Sequence, residues 1–493
     1  MTTDLIENEE FDTSNLRGKV ERGLGWKLIS QIFGQGTQTA MAIVLAHILL
    51  PHDYGVAGMA LVFSGFAGIL TDLSLGAALV QRKVITERDR STVFWTTVAG
   101  GIVWAGLGVA LSPLVASFFS TPEVGPLFAV VSLGFIVNAV GQTQNALLTR
   151  EMSFRSLELR QIAATVAGAL MALGLALAGY GPWAIVGQGL CTSVVATILV
   201  WILSPWRPQW VFSRESLRSL GSFGVKALFS RLLVYVNFTG DNLLIGKFIG
   251  SQALGVYTVA YNVMWLPMSR ITVPLSSVLY SAFARLQHDR RRLGEVWLRV
   301  NRMTSALLAP VFLGMAVVAP DLIPSVFGAR WHAAVPVLQL LSLGGIAQAL
   351  QVFNGQVYQA QGRPGLFLRF MVFSTGVTFG GFAIGLHWGV VGVAASFAIA
   401  RSIVLAANTA LICRTVDLPL GRTVISYLEI VGVAAVMGAL VLATRQALIH
   451  EGMAAGPRLA VLVAIGAGTY FGLFAWRSPD LLAELRGLIR RRS

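Results

Sequence analysis

The sequence predicts an all-α polytopic membrane protein of about 14 transmembrane helices, built as two parallel six-helix repeats plus two C-terminal helices. Three observations predict it. Of 493 residues, 55% are hydrophobic and 12% charged, with a mean hydropathy of +0.70, more apolar surface than a soluble domain of this size can bury. The apolar residues fall into runs of about 20, the length that crosses a bilayer as helix. The basic residues gather in the short loops between those runs, on alternate loops. The net charge of +14 therefore reads as membrane topology and excludes nucleic acid as a partner.

Residues 1–24 are polar and acidic (Asp4, Glu7, Glu9, Glu10, Asp12) and lack the pattern of a signal peptide. They are expected as a cytoplasmic N-terminal tail, with a short interfacial helix from Leu16. Spans follow at 25–49, 55–80, 93–119, 126–148, 161–179 and 182–204, which make a first six-helix lobe at 25–204. A cytoplasmic linker at 205–222 leads to spans at 223–249, 255–280, 302–327, 335–360, 367–386 and 389–413, the second lobe at 223–413. Two additional spans, 425–447 and 457–476, occupy 414–476, and 477–493 is a basic cytoplasmic tail. That tail carries the amphipathic run SPDLLAELRGLI and ends in Arg490, Arg491 and Arg492, a composition suited to the inner leaflet. Cys191 and Cys413 fall inside spans as small core residues, with no disulfide framework implied.

All but eight of the 37 lysines and arginines lie in the N-terminal stretch, the even-to-odd loops and the C-terminal tail. Lys247, Arg330, Arg445 and Arg458 lie in odd-to-even loops, and Lys226, Arg231, Arg270 and Arg401 lie within spans. The positive-inside rule then places both termini in the cytoplasm. The halves also repeat. LAHILLPHDYGVAGMALVF (45–63) resembles IGKFIGSQALGVYTVAYNV (245–263), with Gly55 aligned on Gly255, and VSLGFIVNAV (131–140) resembles LSLGGIAQAL (341–350). YGPWAIVGQ (180–188) resembles WGVVGVAAS (388–396). Six spans separate the copies, so both run the same way, as in a parallel repeat.

Several spans carry polar faces. Gln31, Gln35 and Gln38 share one side of span 1, and Asn138, Gln142, Asn145 and Thr149 one side of span 4. Span 10 carries Gln348, Gln351, Asn354, Gln356 and Gln359. Such amides either join helices by hydrogen bonds or line a hydrophilic path; stripes on several helices of both repeats favour the lining. In span 7, Lys226, Ser230, Asn237 and Asp241 fall within a sector about 60° wide, beside Arg231, Tyr235, Phe238 and Asn242. Span 8 adds Asn262 and Arg270, span 12 adds Arg401, and span 2 adds Asp72.

Charges at membrane depth survive by facing other helices or a wet cavity. An excess of arginine over acid there is the composition of an anion site, because guanidinium stays charged and grips phosphate oxygens in pairs. Lys226, near a span end, is also placed to snorkel. Asp72 and Asp241 are candidates for coupling to a proton or sodium ion. Their structural alternatives are tight packing around Asp72 and a buried ion pair between Asp241 and Arg231. Asp321 and Glu429 lie near span ends and read as interfacial. The chain has no GxxxxGK[ST] motif, no Cys/His metal cluster and no extramembrane segment large enough for a catalytic domain.

The blocks TDLSLGAALVQRKVITERDRSTVFW (71–95), GYGPWAIVGQ (179–188), SFGVKALFSRLLVYVNFTGDNLLIGKFIG (222–250), LGVYTVAYNVMWLPMSRITVPLSSVLYSAFARLQHD (254–289) and AQGRPGLFLR (360–369) resemble bacterial polysaccharide flippases. These form the polysaccharide transporter family, here its colanic-acid and exopolysaccharide branch, within the multidrug/oligosaccharidyl-lipid/polysaccharide exporter superfamily. The resemblance implies a V-shaped pair of six-helix lobes around a central cavity. It implies a non-enzymatic flippase in the bacterial inner membrane, without a cofactor. The implied substrate is an undecaprenyl-diphosphate-linked oligosaccharide repeat unit, moved from the cytoplasmic to the periplasmic leaflet for exopolysaccharide or lipopolysaccharide assembly. Against that substrate, Arg231, Arg270, Arg401 and Lys226 would meet the diphosphate. Gln31, Gln35, Gln38, Asn138, Gln142, Asn145, Asn237, Asn242, Asn262, Gln348 and Asn354 would meet the sugars. Expected partners are membrane lipids and the polysaccharide polymerase and export machinery. Other readings are a lipid II flippase, a cation-coupled drug exporter (disfavoured by the excess of arginine), a membrane-embedded glycan polymerase or ligase, and a scaffold subunit of a polysaccharide synthesis complex.

Overall fold

Inside a bilayer no water is present to satisfy the backbone, so apolar runs of this length close their hydrogen bonds within a helix. The computed structural model describes residues 16–71, 75–82 and 84–477. The first part of the chain forms α1 (Leu16–Ile48), α2 (Pro51–Thr71), α3 (Leu75–Gln81), α4 (Glu87–Phe119), α5 (Val124–Arg150), α6 (Phe154–Leu177), α7 (Trp183–Leu203) and α8 (Arg214–Phe248). Then come α9 (Ser251–Arg285), α10 (Arg290–Val326), α11 (Ala334–Ala349), α12 (Asn354–Ala360), α13 (Pro364–Gly385), α14 (Gly389–Thr415), α15 (Leu420–His450) and α16 (Ala455–Arg477). No strand occurs among the described residues.

Nine segments of the described residues are long and apolar enough to cross a membrane, among them α4 to α7, α10, α15 and α16. The helices α8 and α9 have 35 residues each and are more polar. The expected short helix at Leu16 is the first part of α1, which runs on without a break for 33 residues.

Side chains set the helix boundaries. Thr86 and Asp89 form a reciprocal cap on α4: the Thr86 N–H donates to Asp89 Oδ2 at 3.0 Å and the Asp89 N–H to Thr86 Oγ1 at 3.2 Å. Asp289 caps α10 by accepting the Arg292 N–H at 3.0 Å. The expected span at 335–360 is broken into α11 and α12, which frees backbone carbonyls in an apolar setting. Asn301 of α10 donates its amide to Leu350 O at 2.6 Å, and Ser305 donates to Ala349 O at 3.3 Å. Arg150 serves the end of α3 in the same way, donating to Leu79 O at 3.0 Å.

By density of contacts the chain divides into two units. The first holds residues up to Ile48, Phe63–Ala116 and Pro122–Leu232; the second holds Leu49–Val62, Ser117–Thr121 and residues from Leu233 on. In the first, α6 packs on α1 and α7, and α5 packs on α7. Thr197 and Trp201 of α7 donate to Val137 O and Val140 O of α5, each at 3.0 Å. The extended segment between α7 and α8 is strapped to α4. Trp206 Nε1 donates to Glu87 Oε1 at 2.6 Å, Trp95 Nε1 donates to Gln209 O at 2.8 Å, and Trp210 stacks on Trp95 with centroids 4.2 Å apart.

In the second unit α10 packs on α11, α11 on α14 and α14 on α13, with α9, α12, α15 and α16 around them. Phe283, Trp297, Phe353, Val357 and Tyr358 form a fully buried cluster there. Lipid tails are as apolar as these side chains, so close packing and internal hydrogen bonds, not expulsion of water, hold such helices together at membrane depth.

Two close approaches fix helices within this unit. First, Gly55 of α2 and Gly255 of α9 cross backbone to backbone. A Cβ on Gly55 would fall 1.7 Å from Ser251 O, and one on Gly255 would fall 1.7 Å from Pro51 O. Only glycine permits that approach from both sides. Second, Asp321, near the end of α10, is fully buried. Arg445 Nε of α15 donates to it at 2.5 Å, and Arg458 Nε of α16 at 2.8 Å. These arginines, expected in loops, lie within helices because Asp321 compensates their charge.

Candidate functional site

The densest buried charge at the predicted positions lies in the second unit, on α8, α9, α13 and α14. Asp241 of α8 is 4% exposed. Its carboxylate accepts the Tyr257 hydroxyl of α9 at 2.8 Å on Oδ2 and the Asn242 N–H at 2.8 Å on Oδ1. Arg401 of α14 is 8% exposed, and its guanidinium carbon lies 5.0 Å from the centre of the Phe397 ring, one turn back on the same helix. Its charge acts on Asp241, Tyr257 and Tyr261 through the low-dielectric interior, and its Nε has no hydrogen-bond partner. Asn237, one turn before Asp241 on the same face, donates to Thr375 Oγ1 of α13 at 2.7 Å. A buried guanidinium at membrane depth costs roughly 3 kcal/mol on insertion scales; here the Asp241 carboxylate and the Phe397 ring offset that cost.

Beside the cluster runs a column of aromatic rings on α9. Tyr257 and Tyr261 stack with centroids 5.9 Å apart, and Tyr261 and Trp265 with centroids 6.3 Å apart and planes 10° from parallel. Phe397 meets Tyr261 edge-on at 6.3 Å, and Phe238 of α8 meets Trp265 at 5.7 Å.

The structure thus brings together Asn237, Asp241, Asn242 and Arg401 from the predicted set. Arg270 is half-buried farther along α9, and Asn262 is exposed on it. Lys226 and Arg231 lie on α8, but their side chains are outside the described residues, as is the whole of Asp72. In the first unit Gln31 and Gln35 are half-buried and Gln38 exposed on α1; Asn138 and Asn145 are exposed and Gln142 half-buried on α5. Gln348 of α11 is half-buried, with Oε1 unpartnered. Asn354 is 1% exposed and accepts the Trp297 indole N–H at 3.0 Å, which places it in the packing around the α11–α12 break.

Sequence reasoning missed Tyr257 and Tyr261. Aromatic residues four apart in an apolar span look like core. The available signal was chemical: a buried tyrosine hydroxyl seeks a partner, and span 7 supplies a buried carboxylate.

The sequence profile of the family described as polysaccharide biosynthesis protein matches residues 44–336. Over 95% of this chain and 97% of its own length, the teichuronic acid biosynthesis protein TuaB of Bacillus subtilis is 28% identical. The succinoglycan biosynthesis transport protein ExoT of Rhizobium meliloti is also 28% identical, over 66% of each chain. Among solved structures, the lipid II flippase MurJ superposes with a TM-score of 0.74 over 93% of this chain and 99% of its own, at 14% identity. That likeness establishes a shared all-helical membrane fold.

Proposed function

The chain belongs to the polysaccharide biosynthesis protein family, and on that premise we propose that it is the flippase of such a pathway. It moves an undecaprenyl-diphosphate-linked oligosaccharide repeat unit from the cytoplasmic to the periplasmic leaflet of a bacterial inner membrane, by alternating access and without making or breaking a covalent bond. Both termini lie in the cytoplasm, and the polysaccharide polymerase and export machinery take over the product. One observation supports this most: the Asp241–Arg401 cluster, a cation and an acid set into the second unit beside unspent polar groups. Membrane proteins rarely keep such groups without a use in transport. The naming of ExoT as a transport protein agrees with it.

In this reading Arg401, with Arg270, Arg231 and Lys226, meets the diphosphate during the cycle. Asp241 holds Arg401 between turnovers, and a proton or sodium ion at Asp241 would release it. The test is transfer of a labelled lipid-linked oligosaccharide from the host's own polymer pathway between the leaflets of reconstituted vesicles. Arg401→Ala is expected to abolish transfer, and Arg401→Lys to restore part of it, because lysine keeps the charge and loses the paired grip. Wild-type protein that moves nothing, with or without proton and sodium gradients, would end the flippase reading.

A further inference from the structure

Resting on the flippase reading, we infer that Trp265, Tyr261 and Asn262 of α9, with Phe238 of α8, form a carbohydrate-stacking platform for the saccharide of the lipid-linked substrate. Three observations carry it.

The first is the state of the polar groups. Trp95, Trp201, Trp206 and Trp297 all give their indole N–H to a protein acceptor. Trp265, like Trp183, Trp210 and Trp388, does not, among the described residues, and the Tyr261 hydroxyl and the exposed Asn262 amide bond no other described group. The adjacent Tyr257, by contrast, is fully buried and bonded to Asp241. The column thus begins in the core and ends in residues with donors to spare.

The second is exposure and depth. Tyr261 and Trp265 are half-buried, Asn262 is exposed and Phe238 is 38% exposed. Asn262 lies about 17 Å along α9 from its start, far from either end of a 35-residue helix. An exposed amide at that depth would be costly against lipid. The face that carries it is therefore wet.

The third is shape. A pyranose presents an apolar C–H face and a rim of hydroxyls. An aromatic ring offers the matching apolar face with negative charge at its centre, and the indole N–H, phenol and amide offer partners for the rim. A column of near-parallel rings leading from an arginine suits a ligand whose sugars follow a diphosphate. A cationic drug would call for acids on this face, and Asn262 and the indole N–H are neutral.

The experiment measures binding of two fluorescent probes to the protein in lipid nanodiscs: undecaprenyl diphosphate carrying the oligosaccharide, and undecaprenyl diphosphate alone. Trp265→Ala should weaken binding of the saccharide-bearing lipid about tenfold, with the bare lipid diphosphate unchanged. Trp265→Phe should recover most of the loss, since the ring remains and only the N–H is gone. Asn262→Ala, at an exposed position where folding is not at stake, should cost the saccharide-bearing lipid severalfold.

Equal binding of both probes by wild type and variants overturns the platform. So does an equal loss for both probes in Trp265→Ala, which would mark a packing residue. Vesicle transfer by the wild type is scored separately. Transfer that survives while these binding differences vanish sinks the platform and leaves the flippase reading standing; binding differences without transfer do the reverse.

Discussion

At the scale of single residues, the pairing of Asp241 with Arg401 decides how the cluster responds to change. Each group is buried, and each acts on the other's charge through the interior without a direct ion pair between them. Removing either should therefore cost more than removing both. Asp241→Leu and Arg401→Leu are each expected to lower thermal stability in detergent by about 1–3 kcal/mol, the usual penalty for leaving a buried polar group less well compensated. The double variant should fall well short of the sum, with a coupling of roughly 0.5–3 kcal/mol in the cycle. Additive losses would mean that the two charges are screened from one another. Both residues are legible in the sequence, because a charge in an apolar run stands out. Their partnership is not. Spacing along one helix offers Arg231 to Asp241, and the Arg231 side chain lies outside the described residues; registry between α8 and α14 leaves no mark in a sequence.

At the scale of elements, hydrogen-bond demand explains where helices break and how the last two attach. The sequence reads 335–360 as one span with amides in its second half, yet the backbone turns between α11 and α12, where Asn301 and Ser305 on α10 meet the freed carbonyls. Those partners are some 50 residues away in the chain, so the local pattern, Asn354–Gly355 included, does not reveal what satisfies the carbonyls. The attachment of α15 and α16 is electrostatic at one end. Asp321 holds one arginine from each, while Arg302 of α10 pairs with Glu429 of α15 at 3.3 Å in a more exposed setting. Asp321→Asn leaves two arginines without a counter-charge and should loosen both helices, with a large drop in melting temperature and faster proteolysis after Arg445. Glu429→Gln should change stability by less than about 1 kcal/mol, as exposed pairs do. A similar drop in both variants would place the anchor elsewhere.

At the scale of the whole molecule, orientation is argued from the placement of lysine and arginine. Four basic residues stand on the side otherwise poor in lysine and arginine, and all four are engaged. Lys247 donates to Phe118 O at 2.5 Å and lies 4.9 Å from the Phe118 ring centre. Arg330 reaches Leu49 O at 3.4 Å, and Arg445 and Arg458 bind Asp321. On the opposite side Arg290, Arg291 and Arg292 stand exposed at the start of α10, with Arg291 3.8 Å from Glu295. The count of lysine and arginine therefore decides, and the α9–α10 connection is expected in the cytoplasm. Single cysteines test this in a background with Cys191 and Cys413 replaced. Glu123→Cys, exposed before α5, should react with a membrane-impermeant thiol reagent on intact cells. His288→Cys, exposed between α9 and α10, should react only after the membrane is opened. The reverse pattern would place the α9–α10 connection outside the cell and overturn the orientation argued from the basic loops.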